Sequence, residues 1–257
     1  MSITTIILLH ITLFFLLPTT SAFSQTSSPP NNISPQDLQT IQNQLGYIPT
    51  NLLRISARTT STSVPIAIQT YPLNGGSAHR NLKSSLRQNP FPTLYWLCHD
   101  EIHTALANLE RLGYVKKLET QLLQDEKAVQ AMWKSHDMYA SERWNVLCQE
   151  DQDMLLGRTM ETNKEYETSS SSFKSSTAIL EMIQCSGISG SDLSNKEKLP
   201  SVKCLHAHYA HYRSCCSSSS PSSQKKKGEL YDYQVCPNII GKWTHDLLQE
   251  HYPDLIL

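Results

Sequence analysis

Leu53-Arg54-Ile55-Ser56-Ala57-Arg58 alternates apolar and polar residues, and Val64, Ile66 and Ile68 alternate again after the Thr59-Thr60-Ser61-Thr62 turn. Alternation at period two puts every second side chain on one face of an extended chain, so two strands joined as a hairpin are expected here. Phe91-Pro92-Thr93-Leu94-Tyr95-Trp96-Leu97 reads as a third strand with its proline at the entry. Upstream of the hairpin, Ser34-Pro35-Gln36-Asp37 is a helix start: Ser34 caps, Pro35 suits the first turn, and Asp37 faces the positive end of the dipole. Leu38, Ile41 and Leu45 share one face of that helix until Gly46 closes it.

Helical spacing dominates the rest. Ile102, Leu106, Leu109 and Leu112 form one apolar stripe ending at Gly113, and Val115, Leu118 and Leu122 begin another. A third pattern runs over residues 125–147, with Met132, Trp133, His136, Ala140 and Trp144 on one side, a face expected in the core. Two more helices are expected over residues 200–213 and 241–251. The polar stretch 74–88 reads as a loop, and the serine-rich stretches at about 149–177 and 216–229 read as a flexible linker or surface insertions. The expected fold is α+β, a small antiparallel sheet from the N-terminal half packed against several helices in a single domain over residues 36–252.

Ahead of that domain, residues 6–17 are apolar apart from His10 and Thr12, Pro18 interrupts them, and Thr20-Ser21-Ala22 supplies small residues before Phe23. A dozen apolar residues fall short of the roughly 20 needed to span a bilayer, so residues 1–22 read as a signal peptide. The Ser21-Ala22-Phe23 junction and the polar segment 23–35 are similar to the bipartite presequences of algae with secondary plastids, which implies the plastid stroma. No Arg or Lys precedes Arg54, which keeps secretion or an endomembrane lumen as the alternative. No later stretch is long and apolar enough to span, so the mature chain is expected to be soluble. The seven cysteines, an odd number without repeated spacing, fit reduced thiols better than a disulfide framework. A net charge of -1 gives no general pull toward nucleic acid or acidic membrane, and no aromatic residues interleave with basic ones as a nucleic-acid groove would need.

Gln44-Leu45-Gly46, Ala57-Arg58, residues 91–97, Leu109-Glu110 ahead of Gly113, and Val202-Lys203-Cys204-Leu205-His206 with Ala210-His211 occur in one order. In these strings the chain resembles the bacterial family known as domain of unknown function 501, from about Asp37 to Leu248. The family carries a Cys-Pro-Cys-Gly string after its Ala-Arg pair where this chain has Thr59-Thr60-Ser61-Thr62, so no thiol or metal role is carried over for that turn. Near the end Pro237-Asn238-Ile239-Ile240-Gly241 stands where the family tends toward Asn-Pro. The relatives' association with septum-formation genes implies a role in division or envelope processes.

Three chemistries are weighed on the residues themselves. Cys204, His208 and His211 fall on one face of the expected helix and Lys203 and His206 on another, but residues seven apart on a helix sit about 10 Å apart and cannot share one ion. Packing is therefore expected rather than a metal, and at most an i, i+4 pair could ligate with donors from elsewhere. Cys204 at a helix start beside Lys203 is the candidate nucleophile, with His206 and His211 as further candidate chemical groups. Arg54 and Arg58, at i and i+4 on one strand, should point the same way and fork onto an anion. Lys203 and His206 could complete that pocket, with Thr93 and Tyr95 as hydroxyl donors. Gly187-Ile188-Ser189-Gly190 is a further turn able to cradle an anion. The residues do not identify a cofactor. The reading is an enzyme of unassigned reaction binding a small anion or phosphorylated metabolite, with a non-catalytic interaction protein as the alternative.

Overall fold

The structure is a computed structural model and describes residues 33–73, 90–158, 170–196, 198–216, 236–255 and 257. The leader, the polar loop at 74–88 and most of the 216–229 stretch lie outside the described residues. Helix α1 (Pro35–Leu45) starts where Ser34 Oγ accepts the Asp37 N–H and stops at Gly46, whose φ of 78° is the left-handed conformation that glycine takes without strain. Strands β1 (Leu52–Arg58), β2 (Pro65–Thr70) and β3 (Tyr95–Leu97) form one antiparallel sheet in the order β1-β2-β3. The third strand is shorter than residues 91–97 because Pro92 cannot donate to a ladder; only Tyr95, Trp96 and Leu97 pair with Gln69, Ile68 and Ala67.

Every residue of β2 is buried, as a central strand covered on both faces must be. On one face Ile41 of α1 packs with Leu52, Ile68 and Cys98. On the other lies the main core, in which Ile66, Leu94, Tyr95 and Leu97 meet the helices α2 (Asp100–Arg111), α3 (Tyr114–Leu122), α4 (Glu126–Asn145), α7 (Leu205–Cys215) and α8 (Ile239–His251). Two further helices, α5 (Gln149–Leu155) and α6 (Ser170–Cys185), pack against α4 and Leu73 in a smaller cluster with Leu147, Leu155 and Ile183. The fold is α+β, and no helix among the described residues is long and apolar enough to cross a membrane.

Helix α7 is the axis of the molecule. Leu205, His208, Tyr209, Ala210, His211, Arg213 and Ser214 are all buried, so it is covered almost all round. Helix α8 crosses it at Gly241, where an added Cβ would lie 2.6 Å from the His208 carbonyl oxygen and against Tyr212 Cβ; glycine is what lets the two backbones approach.

Four sequence expectations are corrected here. The helix expected from Pro200 begins only at Leu205, because Cys204 is extended at φ -153° and serves as the N-cap. Lys203 and Cys204 therefore precede the helix, and Cys204 shares no helical face with His208 and His211. The stretch 149–177 is not a linker throughout: Gln149–Leu155 and the chain from Ser170 onward are helical. Cys216 and Cys236 form a disulfide rather than remaining reduced, while Cys98, Cys148, Cys185, Cys204 and Cys215 are free thiols. Finally, β1 pairs with β2 through register shifts between Ile55 and Ala57 and between Ala57 and Arg58, which break the period-two alternation that would have aligned Arg54 with Arg58.

Candidate functional site

Two polar clusters flank α7. The first is centred on Glu142 of α4. Its carboxylate accepts the Tyr95 hydroxyl at 3.3 Å and the Cys215 thiol at 3.6 Å, and His211 Nε2 lies 4.0 Å away. These donors come from β3 and α7, the two elements that pack face to face to form the wall behind α4. The His211 ring is 1% exposed and sits between the rings of Tyr95 and Tyr139 at 5.8 and 5.5 Å.

Asn238 decides the protonation of that ring. Its Oδ1 accepts the Gly241 N–H at 3.0 Å, and its Nδ2 donates to the His208 carbonyl at 2.9 Å, which fixes which way the amide points. The same Nδ2 donates to His211 Nδ1 at 2.9 Å. Burial, with a smaller contribution from His208, pushes His211 down to about 3. A neutral ring that accepts at Nδ1 carries its proton on Nε2, so His211 presents a fixed N–H toward Glu142. Among the described residues that Nε2 has no hydrogen-bond partner.

Burial also raises Glu142 above the usual carboxylate range, against the Cys215 and Tyr95 contacts and the nearby Arg54 charge, which favour ionisation. Burial raises Cys215 to about 12, helped by Glu142, and raises Tyr95 as well. Arg54 is exposed, donates through Nε to Gln69 Oε1 at 2.6 Å, and places its positive charge over Tyr95, Glu142 and Cys215. Glu142 keeps a third of its side chain exposed, so the cluster opens to solvent at the carboxylate.

The second cluster joins α2 to the start of α7. Glu110 Oε1 accepts the Leu205 N–H at 2.7 Å, a carboxylate placed at the positive end of the helix dipole. His206 Nδ1 lies 3.1 Å from the same oxygen and 3.9 Å from Cys204 Sγ, while Nε2 lies 3.1 Å from the His103 carbonyl. Burial opposes a charge on His206, but the Cys204 and Glu110 contacts outweigh it and push the ring up to about 9. The neighbouring His103 ring, 4.4 Å away, is pushed down by burial and then by the His206 charge. A Cys-His-carboxylate relay needs the thiol and the carboxylate on opposite nitrogens of the ring. Here both sit on Nδ1.

The residues singled out from the sequence are thus divided. Arg54, Tyr95 and His211 belong to the first cluster, Cys204 and His206 to the second. Arg58 is turned toward α1, where it binds both oxygens of Asp37 at 2.8 and 2.9 Å and the Ser63 carbonyl at 2.8 Å; the hydrogen bond from Arg58 lowers Asp37. Lys203 is exposed and donates to the Gly190 carbonyl at 2.9 Å. Thr93 offers its carbonyl to Thr70 Oγ1 at 2.6 Å. Arg58, Lys203 and His206 are each held by a different partner set and do not meet around one ligand. In the Gly187-Ile188-Ser189-Gly190 turn the Ile188 N–H is taken by His136 Nδ1 at 3.1 Å, so it is not turned outward to cradle an anion.

Glu110, Glu142 and Asn238 were not read from the sequence as site residues. Glu110 lay inside one of the strings that carried the family resemblance, and that was its only signal. Glu142 gave none: it follows the apolar face of α4 by ordinary helical spacing.

No curated protein and no solved structure matches the chain. Residues 56–222 match the family described as protein of unknown function (DUF501), a span that holds the end of β1, all of β2, β3 and α7, and Glu110, Glu142, Cys204, His206, His211 and Cys215 but neither Arg54 nor Asn238, and the chain belongs to that family.

Proposed function

We propose that this chain is an enzyme that carries out acid-base chemistry on a small anionic metabolite at the Glu142 cluster. The observation that carries the reading is the Glu142 carboxylate itself: partly buried, raised by desolvation, ringed by the Tyr95 hydroxyl, the Cys215 thiol and the His211 N–H, and open to solvent beneath the Arg54 charge. A carboxylate made more basic by desolvation is suited to accept a proton from carbon or oxygen. A neutral histidine with a fixed N–H can stabilise negative charge on a substrate oxygen without itself giving up the proton. Cys215 is not the nucleophile, because burial and Glu142 keep it a thiol up to about pH 12. Arg54 supplies the positive charge at the mouth, which supports a phosphorylated or carboxylated substrate.

A thermal-shift screen of the full chain against phosphorylated sugars, nucleotides and dicarboxylates tests this, since a binder stabilises by mass action. At least one anion should raise the Tm in a concentration-dependent way. Arg54→Ala should remove that rise, while Glu142→Gln should keep binding and abolish turnover of the same compound. Absence of a shift with every anion class, or a shift indifferent to Arg54, overturns the reading.

For location, the Cys216–Cys236 disulfide supports the lumenal or secreted alternative over the plastid stroma, because such bonds persist where thiols are not kept reduced. A fluorescent protein fused to residues 1–35 should enter the endomembrane system. Retention of that fusion in the cytosol rejects both destinations.

A further inference from the structure

We propose that Glu110, Cys204 and His206 form a binding site for one divalent cation of the zinc class, independent of the Glu142 cluster. The donor atoms are Glu110 Oε1, Cys204 Sγ and His206 Nδ1, all within 4.8 Å of one another. An ion bonded to N and O at about 2.0 Å and to S at about 2.3 Å in tetrahedral geometry separates its donors by roughly 3.3–3.7 Å. The imidazole lies 3.1 Å from the carboxylate oxygen and 3.9 Å from the sulfur, each close to those spacings, and a side-chain rotation of Cys204 or Glu110 closes the sulfur–oxygen separation, which is within 4.8 Å.

The surroundings suit a metal better than they suit a catalytic relay. A ligating histidine usually donates its second ring N–H to a backbone carbonyl or carboxylate, which fixes the tautomer and the ring plane. His206 Nε2 does this with the His103 carbonyl at 3.1 Å, leaving Nδ1 turned to the thiol and the carboxylate together. Two of the donors flank the first residue of α7 and the third comes from α2, against which α7 packs, so the set is held by helices rather than a mobile loop. A mixed sulfur, nitrogen and oxygen set selects zinc and its first-row neighbours over magnesium or calcium. Three protein donors leave a fourth position for water or a ligand, and all three residues are partly exposed, so that position faces solvent.

The molecule holds a second group of the same types, Glu142, His211 and Cys215, which serves as the internal control. There the Asn238 amide occupies His211 Nδ1 and forces the proton onto Nε2, the atom that would have to ligate. That group is therefore not expected to take the ion.

Titration with Co(II) alone provides the test, because a thiolate bound to cobalt gives a charge-transfer absorption absent from sites without sulfur. The full chain, with its disulfide intact, should take up one equivalent with that absorption, and Zn(II) should displace it. Cys204→Ser should abolish the absorption, Glu110→Gln should weaken uptake at least tenfold, and Cys215→Ser, Glu142→Gln and Arg54→Ala should leave it unchanged. A readout that needs no variant is alkylation of the native thiols followed peptide by peptide: Zn(II) should slow labelling of Cys204 and not of Cys215. Failure to bind cobalt, or absorption and protection that follow Cys215 instead of Cys204, overturns the site. Loss of anion binding on changing Arg54 bears only on the Glu142 cluster, so the two readings fail separately.

Discussion

Asn238 Nδ2 and His211 Nδ1 meet at 2.9 Å in the interior, one residue at the N-cap of α8 and the other near the middle of α7. The same amide caps α8 through Gly241 and closes on the His208 carbonyl, so a single side chain ties two helices and sets one tautomer. Asn238→Ala should lose the cap, worth about 1 kcal/mol, and leave His211 Nδ1 buried without its donor, worth about another 1–3 kcal/mol. Urea unfolding should therefore show a loss of roughly 2–4 kcal/mol. A change below about 1 kcal/mol would mean that the amide is not the tie between α7 and α8.

Among the described residues Arg143 is one of the largest fully buried side chains, 1% exposed, and no carboxylate pairs with it. Its guanidinium donates instead to the carbonyls of Ile183, Met182, Ser186 and Pro92, gathering the carbonyl end of α6 and the entry to β3 around one fork. Cations are favoured at a helix C-terminus, and a planar fork can serve several carbonyls that an ammonium cannot. Arg143→Met is expected to cost at least about 3 kcal/mol by leaving those carbonyls unpaired, and Arg143→Lys should recover less than half of it. Chemical denaturation of both variants checks this, and equal stability of the Lys variant and the parent would refute it.

Three histidines are held neutral in the core. Burial pushes His136 down to about 2, His208 to about 4 and His211 to about 3, from an ordinary value of 6.5. In the unfolded chain each takes a proton below pH 6.5 while the folded chain refuses it, so stability is complete above that pH and falls as pH drops toward the folded values. The slope approaches about 1.4 kcal/mol per pH unit for each histidine. The Tm should fall steeply between pH 6 and 4, and His136→Gln should flatten the decline. A Tm that stays level down to pH 5 would show that these rings are hydrated.

Cys216 ends α7 and Cys236 stands two residues before the α8 cap, 20 positions apart in the chain. Closing a loop of that size removes unfolded-state entropy worth about 3 kcal/mol. Reduction under native conditions, or Cys216→Ser paired with Cys236→Ser, should lower stability by roughly 2–4 kcal/mol. Non-reducing peptide mapping should recover the linked pair, and finding both as free thiols would remove the bond and with it the argument for an oxidising compartment.

Local pattern was sufficient for much of the architecture. Ser34 and Gly46 bound α1 because capping and left-handed closure depend on the residues at the ends themselves. The hairpin of β1 and β2 and the buried stripe of α2 follow from periodicity, which is a property of neighbouring positions. Helix α7 does pack on β3, but the shared pocket expected of Tyr95, Lys203 and His206 does not form, because Tyr95 faces Glu142 and His206 faces Glu110. Periodicity failed where the chain departs from regular pairing: the register shifts in β1 separate Arg54 from Arg58, and the extended backbone at Cys204 takes it off the face it would have shared with His208.

What the sequence alone determined, then, is the hairpin and the helices with a regular apolar stripe, because a 3.6-residue or two-residue repeat is written within a dozen positions; α5 and the start of α6, set in polar and serine-rich sequence, were not among them. Which polar groups meet was decided only by tertiary packing. Glu110 reaches Leu205 across 95 positions, and Glu142 reaches Cys215 across 73. Such meetings depend on how helices cross and where a strand bulges, and a single surface carboxylate carries no local mark of the partner it will find.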